Sequence, residues 1–291
     1  MAFVDRIRDC NGWRPENFLP FVVAGRALGW IRPSLAAQLK GWPAVFEVRR
    51  DSVWLDPSLC ELETRTWAVA DVLGQLSQDG VLPPLHGELF PVGLTWDRPD
   101  LLIDRQAAAW FGVRAYGQHM NGFVREGERL WMWVGRRASR KRNYPRRLDH
   151  LVAGGLPHGI SRPDNLLKEC WEEAGIPAAL ASQARPVGAL TYCRETQSGL
   201  KPDTIYCYDL QLQRGFRPRC TDGEVDDFFL LPIEEVAELV RDTEEFKPNC
   251  SLVIIDFLLR HGILTPESDA YLELVQGLHP SLPALGPAVD G

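Results

Sequence analysis

The stretch HLVAGGLPHGISRPDNLLKECWEEAGIP, His150 to Pro177, carries three glutamates, Glu169, Glu172 and Glu173, spaced i, i+3 and i+4. On a helix turning about 100° per residue, all three fall within one narrow arc. Like charges at this spacing repel by roughly 0.2–0.5 kcal/mol per pair, so the pattern adds no stability. A hard divalent cation such as Mg²⁺ or Mn²⁺, which takes oxygen ligands, would relieve it. A solvated acidic face is the ordinary use of E-x-x-E-E. What changes the reading is the run of glycines, Gly154, Gly155 and Gly159, leading straight into the helix. Loop amides and the amides of a helix N-terminus can hold phosphate oxygens. Carboxylates, a cation and phosphate-binding amides in one place point to attack on a phosphoanhydride.

The element that must carry these groups can be read locally. Ser161 has the side chain of an N-cap, and Pro163 suits the first turn, where its missing N–H costs nothing. Asp164, three residues on, approximates a capping box. Leu166, Leu167, Cys170, Trp171 and Ala174 repeat at helical spacing as a buried stripe. Gly175 is placed to end the helix in the left-handed region.

Other residues are candidates for the same site. GRRASRKRNYPRR, Gly135 to Arg147, is a basic stretch ending just before the glycine loop. It reads as a solvated hairpin loop, as a border of the site with Arg146 or Arg147 meeting a terminal phosphate, or as an RNA contact lacking an aromatic ladder. His158 lies in the glycine loop, with a structural or a phosphate-contacting use. In DGEVDD, Asp-Gly signals a turn, and Glu224, then Asp226, could add a base or metal carboxylate. Trp131 and Trp133 suit core packing, with stacking on a heteroaromatic ring as the alternative. His119 and Asn121 could line the same cavity, and Lys247 and Asn249 stand out without an assignable chemistry.

The stretch from Gly154 to Ile176 resembles the Nudix box, G-x5-E-x7-R-E-U-x-E-E-x-G-U with U bulky and apolar. Gly154 takes its first glycine, Glu169, Glu172 and Glu173 its helix glutamates, and Gly175-Ile176 its end. Ile160 stands where the box has its early glutamate, and Lys168 stands for the arginine, which keeps a charge but loses the bidentate fork. LDHLVAGGLPHGIS, HMNGFV, GLKPDTIYCYDLQL, DGEVDDFFLLPIEEV and FKPNCSLVIIDFLLRHG further resemble the thiamine-pyrophosphokinase-related Nudix subfamily, in which the form without the early glutamate is usual. The resemblance implies an α/β fold, an α/β/α sandwich with a mixed sheet, accompanied by a smaller N-terminal α+β domain. It implies metal at Glu169, Glu172 and Glu173, with Gly154 in the metal set. Catalysis falls to these glutamates with Glu224, and substrate contacts to Arg146, Arg147, Gly155, His158 and Lys168. The implied reaction is cleavage of thiamine-diphosphate-like compounds, such as oxothiamine or oxythiamine diphosphate, to the monophosphate. Two rivals keep the fold: an ADP-ribose- or NADH-type pyrophosphohydrolase, and a non-catalytic ligand sensor. A diphosphate isomerase would need a cysteine segment that is missing.

The wider chain sets bounds on these readings. Its 291 residues allow about two domains, read as 1–113 (accessory), 114–265 (Nudix) and 266–291 (helix and tail). A net charge of −7 argues against a nucleic-acid partner. No apolar run is long enough for a membrane span, and MAFVDRIRDC lacks a signal-peptide core. Seven cysteines without C-x-x-C pairs, and no His cluster, argue against a disulfide framework and a zinc site, with the cytoplasm as default compartment. The first half predicts a strand, a glycine turn and a helix from Pro33. A strand pair in VFEVRRDSVWL follows, then an amphipathic helix ending at Gly80, a loop or edge strand in VLPPLHGELFPVG and a helix in LLIDRQAAAWFGV. The second half predicts strands in AYGQHMNGFVRE, RLWMWVGRR, RPVGALTYCRET and DTIYCYDLQL, a strand running into a helix in EVDDFFLLPIEEVAELV, and a helix in KPNCSLVIIDFLLRHG. The final HPSLPALGPAVDG is expected to fray. The N-terminal domain is expected to lid the site or to make a homodimer contact.

Overall fold

The computed structural model describes residues 2–287; residues 288–291, the end of the tail expected to fray, lie outside them. In chain order the first half holds α1 (Phe3–Cys10), β1 (Leu19–Val23), β2 (Arg26–Ile31), α2 (Pro33–Leu39), β3 (Phe46–Val48), β4 (Val53–Leu55), α3 (Leu62–Gln78), β5 (Leu89–Val92) and β6 (Leu101–Asp104). The second half holds β7 (Tyr116–Glu126), β8 (Arg129–Arg137), β9 (Leu148–Asp149), β10 (Val152–Gly155), α4 (Arg162–Ala174), α5 (Ala178–Ala181), β11 (Arg185–Thr196) and β12 (Gly199–Gln211). It continues with β13 (Val225–Pro232), α6 (Ile233–Asp242), α7 (Pro248–Arg260), α8 (Tyr271–Gly277) and β14 (Gly286–Pro287).

The principal sheet runs β11-β12-β7-β8-β13, with β10 paired to β7 and β9 to β8. It is mixed: β12 runs parallel to β7, while the β7–β8 and β8–β13 pairs are antiparallel. Successive strand residues face opposite sides, and β8 shows the consequence. Met132 and Val134 enter a core with Val240 of α6 and Phe257 of α7, whereas Trp133 enters a core with Leu166, Cys170 and Ala174 of α4. The sheet therefore lies between α4 and α5 on one face and α1, α6, α7 and α8 on the other. Full burial of a side chain such as Phe257 contributes ~1.5–3 kcal/mol, so these two cores hold the sandwich.

A third core, from Phe21 to Ala115, belongs to the N-terminal unit, whose sheet runs β14-β2-β1-β4-β3 beside the β5–β6 pair. α1 is not part of that core: Ile7 and Cys10 pack with α7 and α8.

Two local expectations are corrected. LLIDRQAAAWFGV is not a helix, because Leu101 to Asp104 pair with β5 and the Asp104 carboxylate accepts hydrogen bonds from His86, Gly87 and Gln106 amides. Such side-chain bonding favours a turn over a helix. The stretch before Pro33 holds two strands rather than one. Ala24 and Gly25 both have positive φ (51° and 73°), the tight hairpin geometry that twists with its strands.

Candidate active site

Helix α4 starts as its sequence implies. Ser161 Oγ accepts from the Asp164 amide at 3.2 Å, and the serine hydroxyl donates to Asp164 Oδ2 at 2.6 Å. Asp164 thus closes on the side chain of the cap rather than on its backbone. At the other end Gly175 adopts φ 62°.

The three glutamates of this helix sit in different surroundings. Glu169 lies over Gly154, where a Cβ would overlap its carboxyl group, so close approach demands glycine there. Glu173 is buried, and its Oε2 accepts from the Ala153 amide at 2.6 Å. Burial, then the charges of Asp149 and Glu169, push Glu173 up to about 8. Burial raises Glu169 as well, against the opposing charge of Lys168. Glu172 faces outward. Lys168 Nζ lies 3.2 Å from Glu169 Oε1 and 2.7 Å from Glu172 Oε2. Burial works against that ammonium, but its hydrogen bond to Glu172 and the charge of Glu169 hold it above the usual lysine range.

This arrangement fits a divalent cation. Lys168 pairs with Glu169 and Glu172 only, and Glu173 has no ion pair among the described residues. The missing positive charge is what a hard ion with oxygen ligands supplies. The carboxylates do not yet converge, since Glu173 turns inward to Ala153 and Glu172 outward to Lys168. Loading would displace Lys168 from between them.

The glycine loop is held from two directions. Asn165, buried on α4, donates to the Gly155 carbonyl at 2.9 Å and to Gln118 Oε1 at 2.7 Å. From the N-terminal unit, the Leu89 carbonyl accepts from the His158 amide at 2.8 Å, and Phe90 and Arg105 close over Gly155. The His158 side chain is exposed. Arg105 reaches Glu169 electrostatically and pairs with Glu88 at 2.8 Å.

The basic stretch is folded against the acidic one. Arg140 donates to the Asp222 and Gly223 carbonyls, Lys141 pairs with Glu224, and the Ser139 amide donates to Asp226. Glu224 is within electrostatic reach of Glu173. Arg147 lies 3.8 Å from Glu244, between α6 and α7, and the Arg146 side chain is exposed. The structure therefore brings together Gly154, Gly155, Lys168, Glu169, Glu172 and Glu173, sets Glu224 nearby, and turns Arg147 toward a different carboxylate.

Beside the end of α4 an open cavity of about 430 Å³ is lined by Trp133, Phe228, Asp226, Asp227, Arg217 and Arg219, among others. Its wall is bonded to the helix: the Arg219 amide donates to the Ala174 carbonyl at 2.9 Å and the Thr221 amide to that of Glu172 at 2.8 Å.

Sequence reading passed over Asn165, Gln118 and Arg105. Asn165 had a signal, a polar residue beside Leu166 on a buried helix face. Arg105 had none, because it arrives from another unit.

Residues 2–115 match a family model described as "Domain of unknown function (DUF4743)". "Nudix hydrolase 20, chloroplastic" of Arabidopsis thaliana is 44% identical over 290 residues, covering 95% of this chain and 77% of that protein. "Nudix hydrolase 24, chloroplastic" of the same plant is 42% identical over 282 residues, with the same two shares of 95% and 77%. The crystal structure of a MutT protein from Methanosarcina mazei Go1 is similar at a TM-score of 0.39 and 14% identity, covering 50% of this chain and 92% of that one. The fold is a mixed α/β sandwich with an added N-terminal unit, and the chain belongs to the Nudix hydrolase family. It is a hydrolase of phosphoanhydride bonds in small molecules, a family chemistry that generally uses a divalent metal ion. No described helix is long and apolar enough to cross a membrane.

Proposed function

We propose that the protein cleaves thiamine-diphosphate-like compounds, oxothiamine and oxythiamine diphosphate among them, to the monophosphate with Mg²⁺ or Mn²⁺, as in the thiamine-pyrophosphokinase-related Nudix subfamily. Glu169, Glu172 and Glu173 hold the ion, with the Gly154 backbone beside them. When bound, the ion neutralises charge on the diphosphate and polarises the bond under attack. The Gly155 backbone and the exposed His158 side chain meet phosphate oxygens, the His158 amide being bonded to the Leu89 carbonyl. Lys168, displaced from its glutamates, pairs with a phosphate, whereas Arg147, beside Glu244 between α6 and α7, is turned away from it. One site carboxylate, with Glu224 as a further candidate, takes a proton from the attacking water.

The observation that carries this choice of substrate is the cavity beside α4. Trp133 and Phe228 line it together with Asp226 and Asp227, which suits a cationic heteroaromatic ring such as the thiazolium of thiamine or oxythiamine. Arg217 and Arg219 in the same wall suit the attached phosphates. For compartment we propose the cytoplasm. All seven cysteines are free, in keeping with a reducing environment, although the two Arabidopsis relatives are named chloroplastic.

The test is metal-dependent product release from thiamine, oxothiamine and oxythiamine diphosphates, ADP-ribose, NADH and nucleoside diphosphates, with Glu172→Gln as the blank. Glu172-dependent release from the thiamine compounds supports the proposal. Turnover of ADP-ribose or NADH alone removes the thiamine reading and leaves the hydrolase. Tight binding without turnover of any compound makes the chain a sensor.

A further inference from the structure

A second group of donors, carried by elements other than α4, serves no step described above. His119 comes from β7, Asp149 from β9, His150 from the next position and Cys250 from the first turn of α7. One donor atom from each lies within 4.8 Å of the other three. All are buried, at 3%, 5%, 3% and 0% exposure. Isolated polar groups are rarely placed so deep without a function that holds them there.

The cluster is bonded internally, but one buried donor atom is left over. The His119 and His150 Nδ1 atoms face each other at 3.1 Å, one neutral ring donating to the other. His150 Nε2 is buried without a hydrogen-bond partner. Burial holds both imidazoles below the usual histidine range. Asp149 divides its oxygens. Oδ2 lies 2.6 Å from Arg137 Nη1 and 3.5 Å from Lys247 Nζ, whereas Oδ1 accepts from the His150 amide at 2.9 Å and lies 2.8 Å from Cys250 Sγ. One carboxylate oxygen, one sulfur and two imidazoles are thus left facing one another.

We propose that His119, Asp149, His150 and Cys250 form a closed site for one divalent transition-metal ion of the zinc class, distinct from the α4 glutamates. Sulfur and imidazole donors select such an ion over Mg²⁺, and four protein ligands leave no open position, which is the pattern of a structural site. On binding, the Cys250 S–H bond breaks, its proton leaves to solvent and a sulfur–metal bond forms, one proton released per ion. The two imidazoles keep one proton each. Thiolate and Asp149 Oδ1 would then balance the ion, while Arg137 and Lys247 stay with Asp149 Oδ2, Glu173 lying within their electrostatic reach. The ion would pin α7 to β7 and β9 beside the helix that carries Glu173.

The experiment uses the full chain, stripped with a chelator and titrated with Co²⁺. The expected result is a thiolate-to-cobalt charge-transfer absorption with strong tetrahedral d–d bands, saturating near one equivalent and abolished by Zn²⁺. It persists in Glu172→Gln and in Cys60→Ser/Cys220→Ser, which removes the two cysteines that are not buried, and is lost in Cys250→Ser. Loading should also raise the unfolding temperature of the native chain but not of Cys250→Ser. X-ray absorption of the cobalt-loaded native protein needs no variant, so the test survives if Cys250→Ser does not fold. A shell of one sulfur with nitrogen and oxygen supports the site, and a shell of oxygen alone overturns it. Absence of the charge-transfer band in natively folded protein, or its persistence in Cys250→Ser, also overturns it and leaves a metal-free polar cluster.

Discussion

At the scale of single residues, the glutamates act through what surrounds them. Gly154 is needed because Glu169 occupies the space where its Cβ would stand. Gly154→Ala should therefore displace the carboxyl group rather than merely stiffen the loop. The carboxyl end of a flexible side chain can shift at little cost in stability, so we expect mainly a rate loss, on the order of 100-fold, from misplacement of a catalytic group. Metal-dependent hydrolysis measures it, and a fully active variant would contradict this account. Lys168 gives the complementary case. It is a half-exposed internal counter-ion for Glu169 and Glu172, so Lys168→Met should change stability by no more than ~1 kcal/mol. Because the ammonium occupies the place of the metal's charge, the variant should bind Mg²⁺ more tightly in calorimetric titration. Weaker binding would mean that Lys168 assists the ion instead of competing with it. The glutamates, the N-cap and Gly175 were legible because helical spacing and capping are local. His119, Asp149 and His150, and Cys250 were not, because their grouping depends on how β7, β9 and α7 pack.

At the scale of elements, β12 links the sheet to α7 through one carboxylate. Asp209 accepts from Asn121 of β7 at 3.0 Å and from Arg260 of α7 at 2.6 Å, with His261 at 3.4 Å. Burial alone would raise it, but the hydrogen bonds from His261, Arg260 and Asn121 overcome this and hold it at about 2. A carboxylate depressed in the folded state stabilises the fold above its ordinary value of 3.8, and that stability is lost as pH falls through about 2. At most about 2.5 kcal/mol rides on this link. In urea unfolding, Asp209→Asn should be less stable at pH 7 by up to that amount and should show a flatter pH dependence between pH 4 and 2. An unchanged acid limb would show that other carboxylates carry it. Elements themselves were legible where periodicity was unopposed, as in α3, α4 and α7. The reading failed at Leu101–Asp104, where pairing with β5 and the turn-forming Asp104 carboxylate outweighed a helix-like composition.

At the scale of the whole molecule, the two units are interlocked. α1 begins the chain yet packs with α7 and α8, and Arg8 pairs with Glu273 at 2.8 Å. Glu195 of β11 accepts from the Arg14 amide at 2.7 Å, from Asn17 at 3.1 Å and from Arg32 at 3.3 Å. The Leu200 and Thr204 amides of β12 donate to Ala109 and Ala115 carbonyls at 3.0 and 2.9 Å. Sequence could place a boundary near residue 113 from the change in character, but α1 crosses it, and no local pattern shows which core an amphipathic helix will join. The wall over the glycine loop, made by Leu89, Phe90 and Arg105, crosses it too. A chain shortened to residues 114–291 should therefore lose Ile7 and Cys10 from the α7 core and the Leu89 carbonyl from the His158 amide together. We expect it to unfold at a markedly lower temperature than the full chain, and to hydrolyse its substrate poorly even at temperatures where it remains folded. Glu195→Gln separates the two effects: it weakens the seam by about 1–3 kcal/mol while leaving the loop wall in place, so it should lower stability with little change in rate. If the shortened chain matched the full one in both unfolding temperature and rate, the N-terminal unit would be an appendage. If it matched in stability alone, its role would be confined to closing the site.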